Sequence, residues 1–143
     1  TDFLFDVVKL HRIEIAIRPE HVSLQPSSTL STEGVVVQGP GRRLFISGQV
    51  AMKADGSLVE GLEAQTEQVF DNIEALLAAA GMNLRHLVKL VIYCTVPGGS
   101  GAVREIRNRR LGDHAPASTF VQVAGLANPH YLVEIEGEAF AEL

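Results

Sequence analysis

The chain has 143 residues, 46% of them hydrophobic and 20% charged, which fits one folded domain around a single core and excludes a disordered tract. Its net charge of −5 would repel a phosphate backbone, so nucleic acid is not an expected partner. The lone Cys94 cannot form an internal disulfide, no apolar run reaches the roughly 18 residues of a membrane span, and Thr1 to Arg12 lacks the basic-then-apolar pattern of a signal peptide, so a cytoplasmic, membrane-free setting is expected.

In chain order, Val7 to Ile17 has strand composition that Arg18-Pro19 would break, and Gln25 to Thr29 reads as loop. A strand is predicted at Val35 to Gln38. It should turn through Gly39-Pro40-Gly41 into the β-rich run Arg43 to Val50, forming a hairpin. Asp55-Gly56-Ser57 reads as a turn. Leu62 to Ala80 is predicted as a helix, because Leu62, Thr66, Val69, Phe70, Ile73, Leu76, Leu77 and Ala80 recur at three- and four-residue spacing on one stripe. Gly81 stands where a left-handed cap would close it.

Leu87 to Val96 is apolar and β-branched, a strand ended by Pro97-Gly98-Gly99-Ser100. Ala102 to Leu111 is predicted as a second helix with Val103, Ile106 and Leu111 as its apolar face and Gly112 at its end. Two strands follow, Ser118 to Ala124 and Leu132 to Ala141, separated by a loop with Asn128 and Pro129. This order specifies an α+β domain in which both helices cover one face of a single mixed sheet. Nothing in the chain remains to hide the other face, so self-association is expected, with the functional site in a cleft between subunits.

Strict motifs for chemistry are scarce. On the last strand Val133, Ile135, Ala139 and Ala141 should share one face, and Leu132, Glu134, Glu136, Glu138 and Phe140 the other. That acidic row is either solvated or part of a site. Arg104, Arg107, Arg109 and Arg110 form a basic cluster that is either a solvated helix face or a contact for an anionic ligand or a neighbouring subunit. The five histidines show no metal-ligand spacing, so no metal is expected. Ser47 and Ser118 lack a nucleophile elbow, and Cys94, mid-strand, reads as a buried inert thiol.

An ordered set of short runs carries more information. Phe45-Ile46-Ser47-Gly48-Gln49-Val50 resembles the strand signature of the RidA family of reactive-intermediate deaminases, formerly YjgF. The resemblance continues through Gln65 to Gly81 with Asn72, through Val88 to Tyr93, through Pro116-Ala117-Ser118-Thr119 and Val121 to Leu126, and ends in Leu132-Val133-Glu134-Ile135-Glu136. It covers about residues 34 to 141, which makes the first 33 or so an N-terminal extension and residues 34–143 the family core of one domain. The resemblance implies a chorismate-mutase-like fold assembled as a homotrimer, with small-molecule clefts between subunits. It also implies hydrolysis of enamines or imines derived from amino acids to 2-keto acids and ammonia, without a cofactor.

Site residues carry over one by one. Ser47 and Gly48 match the pair that lines the cleft, with the Gly48 amide set to stabilise developing negative charge, and Glu134 matches the glutamate that positions water. The family's carboxylate-clamping arginine falls at Ser118 here, its cysteine at Phe120, its tyrosine at Val36, and its second-helix asparagine near Arg104. An arginine holds a carboxylate by two parallel charge-assisted bonds, whereas serine offers one neutral donor. Standard 2-imino acid deamination is therefore expected to be weak or absent unless Arg104 replaces the clamp. Glu134 is expected to stand near Gly48, Ser118 and Phe120. The readings that follow are a hydrolase or deaminase of an imine-like or carbonyl metabolite, a non-catalytic metabolite-binding or regulatory trimer, and, disfavoured by charge, an endoribonuclease.

Overall fold

The computed structural model describes the backbone of residues 20–22 and all of residues 32–143. The strand predicted at Val7 to Ile17 and the loop at Gln25 to Thr29 lie outside the described residues. The elements are β1 (Glu20–Val22), β2 (Gly34–Val36), β3 (Gly41–Gln49), α1 (Leu62–Ala79), a 3-10 turn (Leu84–His86), β4 (Leu87–Cys94), α2 (Ser100–Leu111), β5 (Ala117–Gln122) and β6 (Val133–Glu142).

The main sheet has the order β3-β6-β4-β5. It is mixed: β6 runs antiparallel to both β3 and β4, while β4 and β5 are parallel and joined by the α2 crossover. The expected hairpin does not form. β2 pairs with β1 in a separate two-stranded ribbon, and β3 takes β6 as its partner. Gly39-Pro40-Gly41 does turn the chain, but the turn delivers β3 to a strand almost a hundred residues away. The physical reason is side-chain pairing: β6 sets Ala139 beside Leu44 and Gly137 beside Ile46, on the face where the helices pack, a match the three-residue β2 cannot supply.

α1 follows its predicted stripe. Leu62, Thr66, Val69, Phe70, Ile73 and Leu77 are buried, and the polar Gln65 joins them. Leu76 departs from the expectation and stays exposed, on the flank of the stripe. Gly81, at φ 71°, closes the helix in the left-handed conformation, its N–H on the Ala78 carbonyl, while Met82 N–H reaches back to Leu77. α2 buries Val103, Ile106 and Leu111 as predicted and stops at Gly112, also left-handed. With Leu90, Ile92 and Cys94 of β4 and Val133, Ile135 and Ala139 of β6 they form one core.

A five-residue clasp ties the helices together. Arg110 of α2 pairs with Glu67, Asp71 and Glu74 of α1, and Arg109 pairs with Glu67. Burial opposes the charge of Arg110, but these carboxylates more than offset it and hold the guanidinium above its ordinary pKa. The same contacts, Arg109 first, hold Glu67 below the usual carboxylate range. Half of the basic cluster is therefore structural.

The opposite face of the sheet carries Phe45 of β3, Lys89, Val91 and Tyr93 of β4, Thr119 and Val121 of β5, and the row Glu134, Glu136 and Glu138 of β6. The register sets Phe45 beside Glu138, Val91 beside Glu136 and Tyr93 beside Glu134. Phe45 is 67% exposed. Only Phe140 at the end of this row is buried, its ring lying over Gly41, where a Cβ would stand 2.2 Å from the ring. The alternation read from the sequence of β6 is thus present.

Candidate functional site

The residues singled out from the sequence fall into two groups on opposite faces of the sheet. The first is built at a β-bulge. Ile46 pairs with Gly137 and Gln49 with Ile135, so Ser47 and Gly48 together stand opposite Glu136 alone. Such a bulge bends the strand and re-aims its side chains. Glu134, one pair further along β6, lays its carboxylate against Gly48: a Cβ there would come within 1.9 Å of Oε1. Only glycine leaves room for this contact. Asn72 of α1 secures the chain just beyond the bulge by donating to the carbonyls of Val50 and Met52, 3.0 Å each, and itself accepts from Gln68.

Beside the bulge the Tyr93 hydroxyl donates to Glu136 Oε1 at 2.8 Å. That bond, followed by desolvation and the charges of Glu136 and Glu134, raises the tyrosine above its ordinary pKa and keeps it a proton donor. Lys89 donates to Thr119 Oγ1 at 2.8 Å across the β4–β5 pair. A shallow cavity of about 260 Å³ opens on this face between Phe45, Ser47, Lys89 and Glu138.

The second group lies on the helix side, at the β5 edge. Ser118 and Phe120 pair with the core residues Leu90 and Ile92, so they share the face of those residues and not that of Glu134. The expected grouping of Glu134 with Ser118 and Phe120 is therefore corrected: within one chain the sheet separates them. A parallel partner strand fixes this, because the two-residue period sends Ser118 and Phe120 to the side on which α2 crosses. There they line a cavity of about 280 Å³ with Ser100, Val103, Arg104, Arg107 and Ile92.

Arg107 is the residue that sequence reasoning left inside the general basic cluster. It is 9% exposed, and its guanidinium donates from Nη1 to Ser118 Oγ at 3.1 Å and from Nε and Nη2 to Asn108 Oδ1 at 3.1 and 2.8 Å. Ser118, at the position where an arginine was expected by resemblance, is thus met by an arginine arriving from α2. Burial, and then the charge of Arg104, push Arg107 below its ordinary pKa. A signal was present: Arg107 sits four residues after Val103, on the spacing of the buried face. Arg104 lines the mouth of the same cavity and is exposed.

A mixed sheet with two helices on one face, a bulged third strand under a glutamate and a cationic cavity at the crossover helix define an α+β domain with polar groups on both faces of its sheet. Comparisons place it in a family. The family model described as Endoribonuclease L-PSP matches residues 23–141, and the chain belongs to this family, which includes the RidA proteins. A RutC family protein of Pyrococcus horikoshii is 35% identical over 104 residues, 71% of this chain and 82% of its own. Among solved structures, the Rid family protein YyfB of Yersinia pestis superposes with a TM-score of 0.74 at 34% identity, covering 85% of this chain and 96% of that one. RidA from an Antarctic Psychrobacter gives 0.67 at 32% identity, covering 85% and 93%. Among the described residues, no helix is long and apolar enough to cross a membrane.

Proposed function

We propose that the protein is a cofactor-free hydrolase of an imine-like or carbonyl-containing metabolite, working in clefts between the subunits of a homotrimer. The observation that carries this reading is the Glu134 carboxylate held against Gly48 at the β3 bulge. A carboxylate at an exposed bend, with one oxygen packed close to the Gly48 backbone, is suited to orient a water and accept its proton.

The step balances without a cofactor. Water adds to the carbon of the C=N bond, Glu134 takes the proton that water loses, and the nitrogen gains a proton. The resulting carbinolamine expels ammonia as its hydroxyl proton departs, leaving the carbonyl. The name of an Escherichia coli relative 27% identical over 114 residues, reactive intermediate deaminase TdcF, supports the deaminase direction.

Self-association is the second element of the proposal. Phe45, Val91, Tyr93 and Val121 put apolar surface on a sheet face that neither helix covers. A second copy seated there would bring its own α2–β5 edge toward Glu134, uniting the two groups that one chain keeps apart. In a closed ring the contact is heterologous, so every cleft takes one group from each neighbour.

The test is hydrolysis of 2-aminoacrylate generated in situ, together with Glu134→Gln. The reading expects measurable acceleration by the wild type, since Arg107 meets Ser118 at the position of the missing clamp, loss of it in a variant that stays associated, and a particle mass of three chains by light scattering. No acceleration over buffer would overturn the hydrolase reading and leave a binding role. Dissociation of Glu134→Gln into single chains would make Glu134 an assembly residue.

A further inference from the structure

Four arginines on α2 meet two different fates. Arg109 and Arg110 are matched by the acids of α1. Arg104 and Arg107, one turn earlier, face one cavity in which neither meets a carboxylate among the described residues. Arg107 has five N–H groups and spends three, two on Asn108 and one on Ser118. Arg104 makes no hydrogen bond or ion pair among the described residues. Two like charges one helical turn apart oppose each other, and burying one of them without a counter-ion is costly. An arrangement of this kind is stabilised by an anion that answers both.

We propose that this cavity binds a small dicarboxylate, one carboxylate gripped by Arg107 and the other held by Arg104. The planar guanidinium of Arg107, fixed by Asn108 and Ser118, has N–H groups left for a planar carboxylate. Ser118 acts as a positioning residue that holds the guanidinium against the strand. Ile92, Val103 and Phe120 form an apolar wall beside the two cations. A short carbon chain between two acids covers that wall, whereas inorganic phosphate has no apolar part to do so. At about 280 Å³ the space is at the small end for ligand pockets, which suits a metabolite of few carbons.

The inference rests on the cleft described above and names the ligand class for it, but its test needs no turnover. The purified full chain is titrated calorimetrically at low salt with succinate, butyrate and inorganic phosphate. Succinate should bind about fivefold more tightly than butyrate, the gain of one partly exposed ion pair. Arg104→Gln should remove that advantage and leave butyrate binding unchanged. Arg107→Gln should lose both ligands, and Arg107→Lys, which keeps the charge without the fork, should also weaken both. Equal binding of succinate and butyrate by the wild type, tighter binding of phosphate than succinate, or equal weakening of both acids by Arg104→Gln would overturn the proposal. Arg104 is exposed, so its variant remains informative if Arg107→Gln fails to fold. Succinate preference without hydrolysis of any imine would defeat the hydrolase reading alone; hydrolysis without succinate preference would defeat this one alone.

Discussion

The two faces of the main sheet use the same strands and the same alternation, yet one is finished within the chain and the other is not. On the helix side, Leu90, Ile92, Val133 and Ile135 are shut off from solvent by α1 and α2. On the other side, Phe45 and Val121 stand open among Lys89 and three glutamates. The difference teaches that a strand's pattern states what must be buried but not by whom. The helix face answers to intrachain packing, and the open face has apolar area whose cover is proposed to be another copy.

Substitutions can pull the two faces apart. The largest effect is expected from Ile135→Ala, which empties a fully buried position and should cost about 2–5 kcal/mol in chemical denaturation. Its neighbour across the sheet, Val91→Ala, should cost much less, and equal losses would mean that the open face is as tightly packed as the core.

Next is Gly48→Ala. The added methyl would fall 1.9 Å from Oε1 of Glu134 and 3.1 Å from its Cγ, so this partly exposed side chain must move aside as a whole, at small cost to stability. Displacing a catalytic group by about an ångström costs on the order of a hundredfold in rate, and turnover should fall by that much. Unchanged turnover would remove Glu134 from the chemistry.

Phe45→Asp should leave the unfolding free energy of a single chain within about 0.5 kcal/mol of wild type while abolishing association, read by sedimentation. If the particle stays intact, the interface lies elsewhere.

The smallest effect concerns the helix clasp. The contacts with Arg109 and Arg110 lower the pKa of Glu67. Its stabilising contribution is therefore present above the unfolded-state value of about 4.3 and is lost as pH falls through the depressed folded value. The thermal midpoint should drop on acidification through that range, and by less in Arg110→Ala. An identical acid profile in the variant would show the clasp to be inert.

Much of this architecture was legible in the sequence. The stripe from Leu62 to Leu77, the left-handed stop at Gly81 and the alternation from Val133 to Ala141 are local signals with one physical solution each. Pairing was less legible. Gly39-Pro40-Gly41 announces a turn, but whether β3 lies beside β2 or β6 depends on which distant strand offers Ala139 and Gly137 to Leu44 and Ile46. The site was half legible. Ser47, Gly48 and Glu134 were named by resemblance, and Gly48 and Glu134 do meet. The resemblance points to Arg104, near which the family's second-helix asparagine falls, and leaves Arg107 inside the general basic cluster because its partner is not local. That partner, Ser118, lies eleven residues on and is reached only through the parallel β4–β5 pair.

The claim that a complete site needs two subunits is tested most directly by mixing two defective chains. Arg107→Gln lacks the cationic group and Glu134→Gln lacks the carboxylate, so each alone should be inactive toward the imine. Co-assembled from equal amounts, about a quarter of the clefts in a ring of heterologous contacts receive both intact groups. Activity should return to about that fraction of wild type. No recovery in mixed particles of verified composition would contradict a site shared between subunits.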